Sequence, residues 1–316
     1  MGRRIFGPVP SRRLGQSLGI NNIPYKICTY SCVYCQVGKA IKMQVDRQEF
    51  FKPQDLVKEV KLLLSGIKND DKMPDYLTIV PDGEPTLDIH LGELIDELKI
   101  FNIPVAVITN SSLINLPDVR NDLLKADFVS VKVDAVDEDI WKKVNKPHKK
   151  LNLNDIKQGV QSFAEQFNGK LVTETMLIEG VNDSYTEFEN IAMFINTFNP
   201  DTAYISIPTR PPAFKGVLPA DEVAVTAAYN IFRRSLTKVE LLTGYEGNAF
   251  SSTGNFREDI LSITAVHPMR EDAVMELMQK TGDGPDSLNM ILEEGLLEKL
   301  QYGGHNYFLR KFKKAL

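Results

Sequence analysis

The feature that most constrains this chain is an alternation. Six short apolar, β-branched runs stand at about Ser17–Ile20, Tyr76–Val80, Val105–Thr109, Phe128–Val133, Leu171–Ile178 and Ala203–Ile207. Between and after them lie stretches with leucine, valine and isoleucine at helical spacing: Pro53–Ser65, Leu91–Ile100, Leu116–Leu124, Leu153–Phe167, Tyr185–Phe198 and Ala220–Leu236. Several carry acidic residues in the first turn, as helix N-termini favour. Strand then helix, repeated, reads as a parallel sheet with helices outside, because parallel neighbours need a long crossover. Those crossovers are right-handed, so the sheet curls one way. Six units fall short of the eight of a closed barrel. The pattern predicts an α/β fold, a partial (β/α)6 barrel, with a flat doubly wound sheet as the alternative. In both, chemistry belongs at the C-terminal ends of the strands.

The barrel is expected over residues 1–236. A connecting segment, 237–256, is rich in Gly, Ser, Thr and Asn. Residues 257–316 then give a short helix, helices near Arg270–Lys280 and Pro285–Glu294, and two strands, Leu297–Tyr302 and Tyr307–Phe312, about the turn "GGHN". That order is the order of a winged helix. Its charge disfavours DNA. Residues 257–316 hold eight basic against ten acidic residues, and the candidate recognition helix carries Asp286, Glu293 and Glu294 with no base. A module that packs on the barrel, binds a peptide or protein, or helps close the active site fits better. The whole chain has net charge -5, so no general attraction to nucleic acid is indicated. No apolar run is long enough to span a membrane, and the basic N-terminus lacks the apolar segment of a secretory signal. A cytoplasmic location, with reduced thiols, is expected.

All three cysteines, Cys28, Cys32 and Cys35, lie within "KICTYSCVYCQVG", just after the first strand. An odd, clustered set argues for a metal site rather than a disulfide framework. Thiolates suit zinc, copper(I) or iron–sulfur clusters. A structural zinc normally takes four protein ligands, so a zinc knob would need a distant histidine or carboxylate. A [4Fe–4S] cluster also normally takes four cysteines; with three, one iron keeps an open position.

CxxxCxxC with the aromatic Tyr34 before the last cysteine resembles the signature of the radical S-adenosylmethionine superfamily. The resemblance implies that Cys28, Cys32 and Cys35 each hold one iron of a [4Fe–4S] cluster, and that the amino and carboxylate groups of S-adenosylmethionine take the fourth. An electron from the cluster would then break the sulfonium C–S bond, giving a 5′-deoxyadenosyl radical that removes hydrogen from a substrate. Tyr34 is expected beside the adenine. After the second strand, "VPDGEPTLD" resembles the Gly-Gly-Glu motif, with Gly83, Glu84 and Pro85 expected to receive the ammonium of S-adenosylmethionine. Asp82 stands where the family often has the first glycine. After the third strand, Asn110 and Ser111 fall where ribose or the methionyl carboxylate is usually contacted. After the fourth, Lys132 and Asp134 alternate with apolar residues, point one way and are candidate catalytic groups. After the fifth, Ile178 and Gly180 resemble an adenine-contacting Ile-x-Gly stretch. After the sixth, Arg210 is a further catalytic candidate.

Together with "GPVPSRRLGQSLGI", the cysteine loop resembles a poorly characterised branch labelled with the wyosine-forming tRNA enzymes. Arg12 and Arg13 there suit either an anionic substrate or acidic residues of the barrel. With no cysteine beyond the three, a second cysteine-bound cluster is excluded. The resemblance implies an electron donor such as flavodoxin or ferredoxin, and a peptide, protein or tRNA base as substrate. Two other classes are kept in view: an iron–sulfur sensor that binds DNA, and a zinc-stabilised binding module.

Overall fold

The computed structural model describes residues 4–67, 73–244, 247–248, 250 and 252–311. In chain order it runs β1 (Ile5–Ser11), β2 (Gly15–Ile20), β3 (Ile27–Cys28), β4 (Lys42–Met43), α1 (Pro53–Ser65), β5 (Tyr76–Ile79), α2 (Leu91–Leu98), β6 (Val105–Thr109), α3 (Pro117–Leu123), β7 (Phe128–Lys132), α4 (Glu138–Asn145), α5 (Leu153–Ala164), β8 (Lys170–Met176), α6 (Tyr185–Asn196), β9 (Thr202–Ser206), α7 (Glu222–Ser235) and β10 (Val239–Leu242). Then come α8 (Phe256–Val266), β11 (Met269–Arg270), α9 (Glu271–Thr281), α10 (Pro285–Glu293), β12 (Leu297–Tyr302) and β13 (His305–Arg310). No helix among the described residues is long and apolar enough to cross a membrane.

The main sheet has eight strands in the order β1-β2-β5-β6-β7-β8-β9-β10. From β2 to β10 every pairing is parallel, and β1 adds an antiparallel edge. No ladder among the described residues joins β1 to β10, so the sheet is an open, curled half-barrel. All six expected strands are present. Two more were not expected. β1 contains Pro8 and Pro10, which read as breakers, but an edge strand tolerates proline. β10 lies inside the segment expected as a connection; its four residues continue the ladder beside β9.

Alternation along the strands sorts side chains onto two faces. Leu77, Ile79, Val105, Val107, Val129, Val131 and Ile205 pack beneath the helices with Leu94, Val119, Ile156, Phe188 and Phe232. On the other face, Leu14, Ala106, Phe128, Val172, Tyr204 and Leu242 make a separate apolar plug. Leu14 comes from the β1–β2 turn, at the N-terminal end of the parallel strands. One and two steps further along the plug-bearing face, the residues become polar: Ser130, Glu174 and Ser206, then Lys132. The interior is therefore layered, apolar at one end and charged toward the strand C-termini.

The C-terminal part packs on this sheet. Phe6 and Val9 of β1 join Phe250, Phe256, Ile260 and Phe308 in one core. The Tyr302 hydroxyl donates to the Pro208 carbonyl at 3.0 Å, and that of Tyr307 to the Thr209 carbonyl at 2.9 Å. Its small sheet has the order β11-β13-β12. The β12–β13 turn needs only Gly303 and Gly304, both with positive φ (54° and 77°), so His305 and Asn306 are strand rather than turn. Phe312, the expected end of the last strand, lies outside the described residues, as do the lysines of the basic tail after Lys311.

Candidate active site

The cysteine loop follows β2 and lies across the C-terminal ends of the strands. It is tied down from several sides. Ser31 and Val33 donate backbone hydrogen bonds to the carbonyls of Asn145 and Val144 at 3.1 and 2.9 Å. Phe214, after β9, donates to the Val33 carbonyl at 3.3 Å. Gly83, after β5, is pressed against it: a Cβ there would fall 1.8 Å from the Ile27 carbonyl oxygen. Only glycine lets the β5 loop approach so closely. This is a structural reason for a glycine at that place in "DGEP".

Each cysteine sulfur receives an N–H group. Asn110 Nδ2 lies 3.5 Å from Cys28 Sγ, Asn145 Nδ2 lies 3.4 Å from Cys32 Sγ, and Lys26 Nζ lies 3.4 Å from Cys35 Sγ. Burial pushes the Cys28 thiol up to about 12, with the charges of Glu84 and Cys35 adding to it. Burial likewise lifts Cys32, aided by Asp134 and Cys35. Such thiols hold their protons until a metal supplies positive charge. Among the described residues, no group of three His, Cys, Asp or Glu side chains forms a ready-made site for a single metal ion. Three clustered thiols, each with an N–H donor at its sulfur, are a donor set that suits an iron–sulfur cluster.

Beside the loop is a buried charged network. Glu174 receives the Arg13 guanidinium, Lys132 Nζ at 3.1 Å and the Ser206 hydroxyl at 2.9 Å. Burial works against its charge, but Arg13 and Lys132 together prevail and hold its carboxyl well below the usual range. Burial also opposes the Lys132 charge, and Glu174 and Asp134 outweigh it, so this lysine stays an ammonium. Asp134 accepts from the Tyr34 hydroxyl, from Asn145 Nδ2 at 2.7 Å and from the Met176 amide at 2.9 Å. Asn145 thus bridges Asp134 and Cys32. The Tyr34 ring lies 5.0 Å from Lys132 Nζ and packs with Val33, Val144, Met176 and Ile178.

The structure brings together Cys28, Cys32, Cys35, Tyr34, Gly83, Asn110, Lys132, Asp134 and Ile178. Glu84 is there too, fully buried, with its carboxylate held by Thr86 N (3.1 Å), Thr86 Oγ1 (2.6 Å), Thr109 Oγ1 (2.6 Å) and Asn110 N (2.8 Å). It braces the β5 and β6 loops against each other, and Pro85 opens the short turn it caps. Ser111 is also a brace: its hydroxyl accepts from the Lys132 amide at 3.0 Å. Gly180 stands exposed, at φ 66°. Arg210 is buried and joins Gln36 Oε1 at 2.9 Å to the His267 ring, so it links the cysteine loop to the C-terminal part. Arg13 faces the barrel acid rather than solvent, and Arg12 donates to the Gly244 carbonyl at 2.8 Å.

Sequence reasoning gave no role to four contributors. Lys26 and Asn145 carry no motif. Helix α4, which ends at Asn145, is short and lysine-rich, although Asp137 caps it. Glu174 had a signal: a charged residue inside the buried strand "LVTETM" demands a partner. Asp82, in the family's glycine place, is buried with Oδ1 lacking a partner among the described residues. Burial pushes its carboxyl up to about 7, against the pull of Lys26.

Fold and cysteine loop together define the class: the chain belongs to the radical SAM superfamily, whose family model matches residues 22–195. Members of that superfamily are enzymes. Over nearly its whole length the chain is similar to UPF0026 protein MJ1312 of Methanocaldococcus jannaschii, with 46% identity over 310 residues, 98% of this chain and 96% of that protein. The S-adenosyl-L-methionine-dependent tRNA 4-demethylwyosine synthase of Pyrococcus abyssi is 24% identical over 140 residues, 38% of this chain and 40% of that one. A solved structure of TYW1 with a lysine-pyruvate adduct bound shares the fold, with TM-score 0.54 at 16% identity over 71% of this chain and 76% of that one.

Proposed function

We propose that the protein is a single-cluster radical enzyme: Cys28, Cys32 and Cys35 hold a [4Fe–4S] cluster that uses S-adenosylmethionine to start hydrogen abstraction from a substrate. The observation that carries this is the cysteine loop itself. Its three thiols are each faced by an N–H donor at the C-terminal ends of parallel strands. When bound, the reduced cluster supplies the electron that splits the sulfonium C–S bond and so generates the 5′-deoxyadenosyl radical.

The chain's own residues have definable tasks. Tyr34, fixed by Asp134 through its hydroxyl, gives an apolar wall with Ile178 where an adenine can rest. Asn110 orients the Cys28 sulfur and contacts Thr29 Oγ1 at 2.8 Å. Glu84 and Ser111 hold the loops in register. Lys132, kept charged by Glu174 and Asp134, orients a substrate rather than taking its proton. Arg210, Tyr302 and Tyr307 tie the C-terminal part to the rim, which helps close the site against water. A flavodoxin or ferredoxin supplies the electron, and a peptide, protein or RNA base is the substrate class. The test is metal analysis after anaerobic purification and reconstitution. Iron and sulfide bound together, and lost in Cys28→Ala, Cys32→Ala and Cys35→Ala, support the reading; zinc without iron or sulfide refutes it.

A further inference from the structure

On the radical SAM reading above, we propose that Lys26 sets the reduction potential of the cluster by holding its ammonium against the Cys35 sulfur. Lys26 is only 2% exposed, and lysine is almost never buried so deeply unless it is paired. Yet among the described residues it has no carboxylate partner at ion-pair distance. Its ammonium instead donates to the Gly38 carbonyl at 2.5 Å and to Cys35 Sγ at 3.4 Å. Its backbone sits at φ 60°, a region that non-glycine residues seldom adopt. That conformation is held by hydrogen bonds on both sides. The Lys26 amide donates to the Asp82 carbonyl at 3.2 Å, and its own carbonyl accepts from Ile41 at 3.0 Å and Lys42 at 3.2 Å.

The other two sulfurs take neutral amides, from Asn110 and Asn145. Charge is therefore placed at one corner of the cysteine triangle. A neutral donor would serve Gly38 as well without the desolvation penalty of a buried ammonium. The groups the Lys26 ammonium meets are the Gly38 carbonyl, the Cys35 sulfur and the Tyr25 ring at 5.8 Å, while the buried Asp82 carboxyl feels its charge from beyond ion-pair distance. On reduction the cluster takes up one electron from the reductant and gains one negative charge, and no bond need form or break. A fixed cation beside a ligating sulfur favours that reduced form and raises the potential.

The test is a potentiometric titration with dithionite and mediators, followed by electron paramagnetic resonance, on reconstituted wild type, Lys26→Met, Lys26→Gln and Lys26→Arg. Iron and sulfide are counted first. Lys26→Met and Lys26→Gln are expected to titrate lower. Poised at the wild-type midpoint, their ratio of reduced to oxidised cluster falls about tenfold, which is about 59 mV for a one-electron couple. Lys26→Arg keeps the charge and is expected to stay near wild type. Lys26→Gln keeps an N–H donor, so it separates charge from hydrogen bonding and also serves if the methionine variant fails to load. Charge-free variants that load the cluster and titrate at the wild-type potential overturn the proposal, as does a glutamine variant matching wild type while methionine alone falls. A wild type that binds no iron and sulfide instead refutes the cluster reading on which it stands.

Discussion

Replacing Glu174 by glutamine probes the buried network beneath the cysteine loop. The Glu174 side chain is 9% exposed and faces two cations, Arg13 and Lys132. Glutamine keeps the shape and can still accept from the Ser206 hydroxyl, but it removes the charge and turns an amide donor toward one of those cations. Removing one partner of a buried ion pair costs about 3–5 kcal/mol, because the other is left uncompensated. We expect a loss in that range, read from urea unfolding at pH 7. The pH dependence has a definite sign. The folded-state pKa of Glu174 is depressed, so its stabilisation is complete above the unfolded carboxylate value, about 4.3, and is lost as pH falls toward the folded value. The gap between wild type and Glu174→Gln therefore narrows only in acid. Adding Arg13→Gln to Glu174→Gln removes one stranded cation, so the double variant should cost about 1–3 kcal/mol less than the sum of the singles. A Glu174→Gln variant within about 0.5 kcal/mol of wild type, or strict additivity in the cycle, would refute the account of this network.

Further outcomes follow from single contacts. Gly83→Ala drives a Cβ into the Ile27 carbonyl, so the cysteine loop must move; iron content after reconstitution should fall well below wild type. Asp82 has a folded pKa raised to about 7 from 3.8, so it costs stability as pH rises through that interval; Asp82→Asn should be the more stable protein at pH 8, by on the order of a few kcal/mol, with the difference gone near pH 4. Tyr34→Phe removes the hydroxyl that donates to Asp134 and should cost about 1.5–3 kcal/mol in urea unfolding, as for a hydrogen bond to a charged group. Arg210→Ala unlinks Gln36 from His267, and amide hydrogen exchange should accelerate both in residues 33–38 and around residue 267.

The parallel strands were legible because each is buried on both faces, which demands continuous apolar runs such as "VAVIT" and "FVSVK". The edges were harder. β1 carries two prolines, and β10 is four residues with Glu240 and Leu241 only partly covered. Both owe their place to neighbours rather than to pattern. Helix α4 was missed because its eight residues hold only Ile140, Trp141 and Val144 as apolar anchors. In the site, the cysteines, Tyr34 and the glycine of "DGEP", which the structure brings together, were singled out by local spacing alone. The groups that face the sulfurs could not be. Asn145 reaches Cys32 across 113 positions and Asn110 reaches Cys28 across 82, and no local rule links them. Lys26 is close in sequence, but its direction depends on a left-handed backbone that spacing does not reveal. Lys132 and Asp134 were expected to share a face and do; that Glu174 binds the lysine is a cross-strand fact.

The central claim is that these three thiols carry radical chemistry on S-adenosylmethionine. The most direct measurement is 5′-deoxyadenosine formed by the anaerobically reconstituted protein with dithionite and S-adenosylmethionine. The account predicts formation by wild type and none by Cys32→Ala under the same conditions. No 5′-deoxyadenosine from a wild type that holds iron and sulfide, or undiminished formation by Cys32→Ala, would contradict it.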